Sequence, residues 1–103
     1  MSGYAGTVEI TNPTGLHARP AMKLTKLAKA FPDAAVQVAL DEAGPWIDAK
    51  SVVKVMAMKA ARGKSLHIRA SGEQAAEAFA ALMALVRRDF DEGHEAPGAD
   101  AAT

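Results

Sequence analysis

A two-layer α+β sandwich, ordered β-α-β-β-α-β-α, is the fold class that three features of the chain predict. The apolar spacing switches back and forth between a period of two and a period of three to four. Each period-two run has one apolar face, as in a sheet buried on one side only. Clusters of Gly, Pro, Asn and Asp separate the runs. Three helices are therefore expected on one face of a four-stranded, mainly antiparallel or mixed sheet, leaving the other face open.

The elements follow in order. Thr7-Val8-Glu9-Ile10-Thr11 alternates polar and apolar and reads as a half-buried strand, stopped by Asn12-Pro13-Thr14-Gly15. A helix comes next, because Ala21, Leu24, Leu27, Ala28 and Phe31 form one stripe; Pro32-Asp33 ends it. Val36, Val38 and Leu40 mark a second strand. Asp41-Glu42-Ala43-Gly44 supplies a turn, and Pro45-Trp46-Ile47-Asp48 a short third strand. Ser51 is placed as N-cap of a brief helix over 52–58, with Arg62-Gly63 as its exit. Leu66, Ile68 and Ala70 define a fourth strand, whose other face carries Ser65, His67 and Arg69. Ser71-Gly72-Glu73-Gln74 fits a capping box before a helix over 74–88, striped by Ala75, Ala78, Phe79, Leu82 and Val86. A domain over 1–92 and a disordered tail over 93–103 are expected.

Composition excludes several functions. The 103 residues suit a single domain, and the 12 basic and 12 acidic side chains cancel, so no bulk field recruits nucleic acid. Zero cysteines remove disulfides, thiol catalysis and cysteine-ligated metal. No apolar run is long enough for a membrane span, and Met1-Ser2-Gly3-Tyr4 lacks the basic and apolar parts of a signal peptide. A cytoplasmic monomer without membrane insertion is expected. An RNA-binding sheet would need stacking aromatics on its open face. Aromatic residues are only 5% of the chain, and the predicted strand faces offer none in pairs. His17, His67 and His94 are scattered without close acidic companions, so no metal site is expected.

The chemistry concentrates in Gly15-Leu16-His17-Ala18-Arg19-Pro20-Ala21. Proline is tolerated only in the first turn of a helix, so the helix must start close to His17, a candidate N-cap. The backbone N–H groups of residues 18 and 19 then have no intrahelical carbonyl, and the helix dipole adds positive potential. Arg19 opposes that dipole, which costs a little stability and marks a place for an anion. An imidazole, N–H donors and a guanidinium fork together suit phosphate, and with a nucleophile among them, covalent phosphoryl transfer. The plainer reading is a solvated cap beside a surface charge.

Gly-Leu-His-Ala-Arg-Pro-Ala at 15–21 resembles the active-site motif of HPr, the histidine-containing phosphocarrier family of the bacterial phosphotransferase system. The likeness runs from about Thr7 to Arg88. It includes Ala49-Lys50-Ser51-Val52-Val53-Lys54-Val55-Met56, which resembles the segment around the family's regulatory serine. The resemblance implies an HPr-like open-faced sandwich and a carrier, not an enzyme, that needs no cofactor or metal of its own. His17 would accept phosphate at Nδ1 from Enzyme I and pass it to an EIIA-type or EIIB-type acceptor. Ala18 and Arg19 would bind the phosphoryl oxygens, and Ser51 would be the target of a serine kinase. Lys54, however, stands where kinase-regulated relatives often have glycine.

Partner contacts are expected beside the histidine. Lys23, Lys26 and Lys29 recur every three residues, and the resemblance assigns Lys26 and Lys29 to acidic partner surfaces. Val52, Val53, Val55, Met56 and Met58 either all pack inside or expose a patch, and the resemblance turns Val52, Val53 and Met56 outward beside Lys54. His67 is expected to be solvated, and Trp46 either packs on the sheet edge or stands as a surface anchor. Two branches stay open. His17 to Leu24 and Phe90-Asp91-Glu92 resemble a regulatory, nitrogen-related phosphorelay without transport, whereas Ser51 to Gly63 resembles sugar-uptake carriers equally well. A non-catalytic small-ligand module of the same layout would not need Arg19 against the dipole.

Overall fold

A computed structural model describes residues 3–91. The observed order is β1 (Gly3–Glu9), α1 (Ala18–Lys29), β2 (Ala34–Ala39), β3 (Ile47–Asp48), α2 (Val52–Ala57), β4 (Ser65–Gly72) and α3 (Ala75–Arg87), closed by a turn over Asp89–Asp91. The sheet order is β1-β4-β2-β3, and every neighbouring pair is antiparallel. This settles the choice between antiparallel and mixed. Parallel β1 and β2 are separated by β4, which arrives last and pairs with both.

Alternation and burial agree in β4 and over most of β2. Val8, Leu66, Ile68, Ala70, Val36 and Val38 face the helices and join Leu24, Ala28, Val55, Leu82 and Val86 in one core. The register explains the layering, since Val8 lies opposite Leu66, and Ile68 opposite Val38. On the other face, Arg69 Nε donates to Gln37 Oε1 at 2.7 Å, and its guanidinium stands 4.1 Å from the Trp46 ring centre. Trp46 also sends its indole N–H to the Glu42 carbonyl at 3.2 Å. It therefore packs over the open face. His67, expected to be solvated, is half-buried there, with Nδ1 3.1 Å from Thr7 Oγ1.

Several expectations about boundaries are corrected. The first strand begins at Gly3 and ends at Glu9, not at 7 and 11. Its early part lacks clean alternation because Gly6 leaves room for Phe79; a Cβ there would lie 2.7 Å from that ring. The third strand keeps only Ile47 and Asp48, since Pro45 has no N–H to donate. The helix ending at Ala57 leaves through Lys59, whose φ is +53°, while Gly63 (φ +94°) belongs to the next turn, its N–H bonding the Ile10 carbonyl. The capping box does not form: Ser71 and Gly72 remain in β4, and Gln74 is the N-cap of α3 without a side-chain cap bond. The Gln74 amide oxygen instead accepts from the Asp33 N–H at 2.9 Å.

Phe90, which follows no apolar stripe in the sequence, is fully buried. Asp89, Phe90 and Asp91 all have φ between +55° and +61°, a left-handed turn that swings the chain back over the core. Arg88 donates to Asp91 at 2.8 Å, and this bond raises the guanidinium pKa above its ordinary value. Lys23 Nζ donates to the Phe90 carbonyl at 2.8 Å, tying the turn to α1. The expected tail over 93–103, with His94, lies outside the described residues, as does Glu92. Truncating a fully buried phenylalanine costs about 3–5 kcal/mol. Phe90→Ala is therefore expected to lower the denaturation midpoint, checked by urea unfolding.

Candidate functional site

The site begins with a loop that has little freedom. Asn12 is buried, and its Nδ2 donates to the Gly15 carbonyl at 2.8 Å. The Gly15 N–H returns to the Asn12 carbonyl at 3.2 Å, closing a tight turn. Gly15 has φ +66°, and a Cβ there would come within 2.5 Å of the Ala60 carbonyl oxygen. The next residue uses the same oxygen: the Leu16 N–H donates to it at 2.8 Å, with the Leu16 side chain buried below. The loop after β1 is thus clamped to the segment after α2, and the next side chain to emerge is His17.

His17 is the N-cap of α1, as its spacing from Pro20 requires, with extended backbone (φ −77°, ψ −170°) and no side-chain cap bond. Its carbonyl accepts the N–H of Ala21 at 2.9 Å. Pro20 occupies the third helical position and is buried. Its missing N–H removes the donor that a capping side chain would normally take. The imidazole is exposed and lines a crevice of about 410 Å³ with Thr14, Leu16, Met56, Lys59, Ala60 and Ala61.

Arg19 is exposed in the first turn, but it does not line that crevice. It lines a neighbouring hollow with Ala18, Met22, Lys23 and Lys26. His17, Lys59 and Thr14 thus line one crevice, and Arg19 lines another at the helix end. Lys26 and Lys29 are exposed as expected, whereas Lys23 is half-buried and engaged with Phe90. The basic stripe is shorter than its spacing suggested.

The second helix resolves the question of its apolar excess. Val53 and Met56 are 74% and 39% exposed, beside exposed Lys54. Val52 does not join them; it is half-buried against the core, because it shares the inward stripe with Val55 three residues on. Ser51 caps this helix, its Oγ accepting the Lys54 N–H at 3.3 Å. Among the described residues there is no group of three metal-ligating side chains. No described helix is long and apolar enough to cross a membrane.

Asn12, which holds the Gly15 turn, and Lys59, which lines the His17 crevice, do not stand out in the sequence. Asn12 read as a turn residue, and a buried role for its amide depends on a segment far along the chain. Lys59 falls between the helix expected over 52–58 and its expected exit at Arg62-Gly63, so the sequence marks nothing at it.

Comparisons with known proteins match this geometry to a family. The family described as PTS HPr component phosphorylation site covers residues 4–88. The phosphocarrier protein NPr of Escherichia coli (strain K12) is 46% identical over 86 residues, which are 84% of this chain and 93% of that protein. The phosphocarrier protein HPr of Pseudomonas putida is 39% identical over 90 residues, 86% of this chain and 97% of its own. Among solved structures, an HPr from Thermoanaerobacter tengcongensis superposes with a TM-score of 0.79 at 32% identity, covering 86% of this chain and 97% of that one.

A side chain at Gly15 would collide with backbone, which cannot swing aside. Gly15→Ala is expected to cost about 1–3 kcal/mol. It should also displace the His17 ring, seen as changed imidazole proton shifts by NMR together with a lower denaturation midpoint.

Proposed function

The chain belongs to the HPr family of phosphotransferase-system phosphocarriers, which are carriers rather than enzymes, and from that premise we propose that His17 is its phosphoryl acceptor. The observation that carries the reading is an exposed imidazole capping a helix whose first turn holds Arg19 and whose third position is proline. Nδ1 attacks phosphorus with its lone pair while the N–P bond of a donor phosphohistidine breaks and its electrons return to the donor ring. Nδ1 must therefore be unprotonated, with the proton on Nε2. A loose phosphoryl transition state needs positioned positive donors more than further covalent chemistry. The Ala18 and Arg19 N–H groups lie at the positive helix end, and the Arg19 guanidinium is two residues away.

The donor is Enzyme I and the acceptor an EIIA-type protein, with Lys26, Lys29, Val53, Lys54 and Met56 as the docking face and the carrier a monomer. Relatives named NPr are 45–46% identical, against 39–42% for relatives named HPr. That difference favours the nitrogen-related branch over sugar uptake, in agreement with the stretch from His17 to Leu24. Ser51 is a second, regulatory target: a phosphate there would place up to two negative charges against the Val53–Met56 patch.

Intact-mass spectrometry with phosphoenolpyruvate, magnesium and Enzyme I tests this. One acid-labile phosphate is expected on the wild type and none on His17→Ala, and labelling that persists in the variant overturns the assignment. Arg19→Ala is expected to slow labelling by about tenfold or more; an unchanged rate removes its role. Incubation with ATP and native extract should add acid-stable phosphate at Ser51, and its absence counts against regulation there. Replacing Lys26 and Lys29 with glutamate should slow labelling and flatten its salt dependence, since rim charges act mainly on association.

A further inference from the structure

The crevice that holds the His17 ring contains one cationic side chain, and it is Lys59. Three observations set this lysine apart. Its backbone is left-handed, φ +53°, a conformation that side-chain-bearing residues rarely adopt and that collects at functional positions. It is exposed, and no hydrogen bond or ion pair engages its ammonium among the described residues. It lines the same hollow as His17 and Thr14, while Arg19 lines another. The left-handed turn follows directly on the helix exit: the Lys59 N–H bonds the Met56 carbonyl at 3.0 Å, and Ala60 then presents its carbonyl to Leu16. The bond that positions the His17 loop therefore also fixes where Lys59 emerges.

We propose that Lys59 is a second cationic contact for the phosphoryl group on His17, holding its oxygens from across the crevice. This inference rests on His17 being the acceptor. A phosphorylated imidazole adds a dianion to a hollow whose only other polar side chain besides the histidine is the Thr14 hydroxyl. An ammonium there lowers the energy of the phosphorylated state more than that of the free state. Lys59 is thus a determinant of how strongly this carrier holds its phosphate relative to its donor, while Arg19 acts from the helix side. The role needs charge more than shape, so arginine should substitute and glutamine should not.

The test measures the equilibrium partition of phosphate between Enzyme I and this chain, together with the ³¹P shift of the phosphohistidine across pH. Lys59→Gln, which keeps the chain length and removes the charge, is expected to move the partition against this chain by roughly tenfold, the scale of one charged hydrogen bond. It should also raise the pH at which the phosphoryl group takes up its last proton. Lys59→Arg should restore both. Lys59→Gly should match the glutamine variant in partition while unfolding at higher denaturant, since glycine relieves the left-handed backbone. Wild-type labelling with an unchanged partition and ³¹P titration in Lys59→Gln would overturn the role of Lys59 alone. Failure of the wild type to label would overturn the His17 reading, and this one with it.

Discussion

The Ala60 carbonyl is where the structure is least forgiving. It accepts the Leu16 N–H at 2.8 Å, and Gly15 passes so close that a Cβ would sit 2.5 Å from the same oxygen. This contact joins two segments that are 45 residues apart in number, counting from 15 to 60, and everything at the site depends on it. On one side it fixes the last residues before α1, which starts at Ala18 with His17 as its N-cap. On the other it fixes the exit from α2, and with it the positions of Met56 and Lys59. Buried Asn12 holds the turn from beneath through the Gly15 carbonyl. An exposed imidazole can remain in one place here because the backbone under it has no alternative.

The parts of the fold that were legible in the sequence are those decided by neighbours in the chain. The alternation of Val36 with Val38 and of Leu66 with Ile68, and the stripe through Leu24 and Ala28, each require one buried face, and burial follows them. Pro20 limits the start of α1 to within a turn of itself, since a proline further inside a helix would clash. The opposite holds where a distant partner decides. Gln74 bonds Asp33 and not its own helix, so the capping box fails although its residues are present. Gly3 and Tyr4 become strand only because β4 lies beside them, pairing Gly3 with Ser71 and Tyr4 with Ala70. Phe90 follows no helical stripe, because a left-handed turn carries it into the core.

The site divides in the same way. His17 and the helix-end donors follow from the local motif, and the structure places them as a helix start requires. The geometry of the cations does not follow from the motif. Arg19 is two residues from His17, yet the two residues line different hollows. A residue far along the chain, Lys59, shares the crevice instead. Lys23 has the same spacing as Lys26 and Lys29, yet it is engaged with the Phe90 carbonyl, so equal charge in sequence becomes unequal charge at the surface.

A carrier has to release what it takes, and that requirement explains why this site is shallow. A deep pocket with many donors would stabilise the phosphorylated histidine, but the next protein could not reach it. Here the imidazole stands at the rim of an open hollow, with the rigid elements beneath it. The exposed side chains around it, Val53, Met56, Lys26 and Lys29, belong to two helices that touch each other. On the proposed docking face, a partner that covers the histidine also covers Val53 and Met56. It thereby excludes water from the phosphoryl group and strengthens every charge already aimed at it. If His17 is the acceptor, the positive charges around the phosphoryl group then act most strongly in the docked complex, where water is excluded.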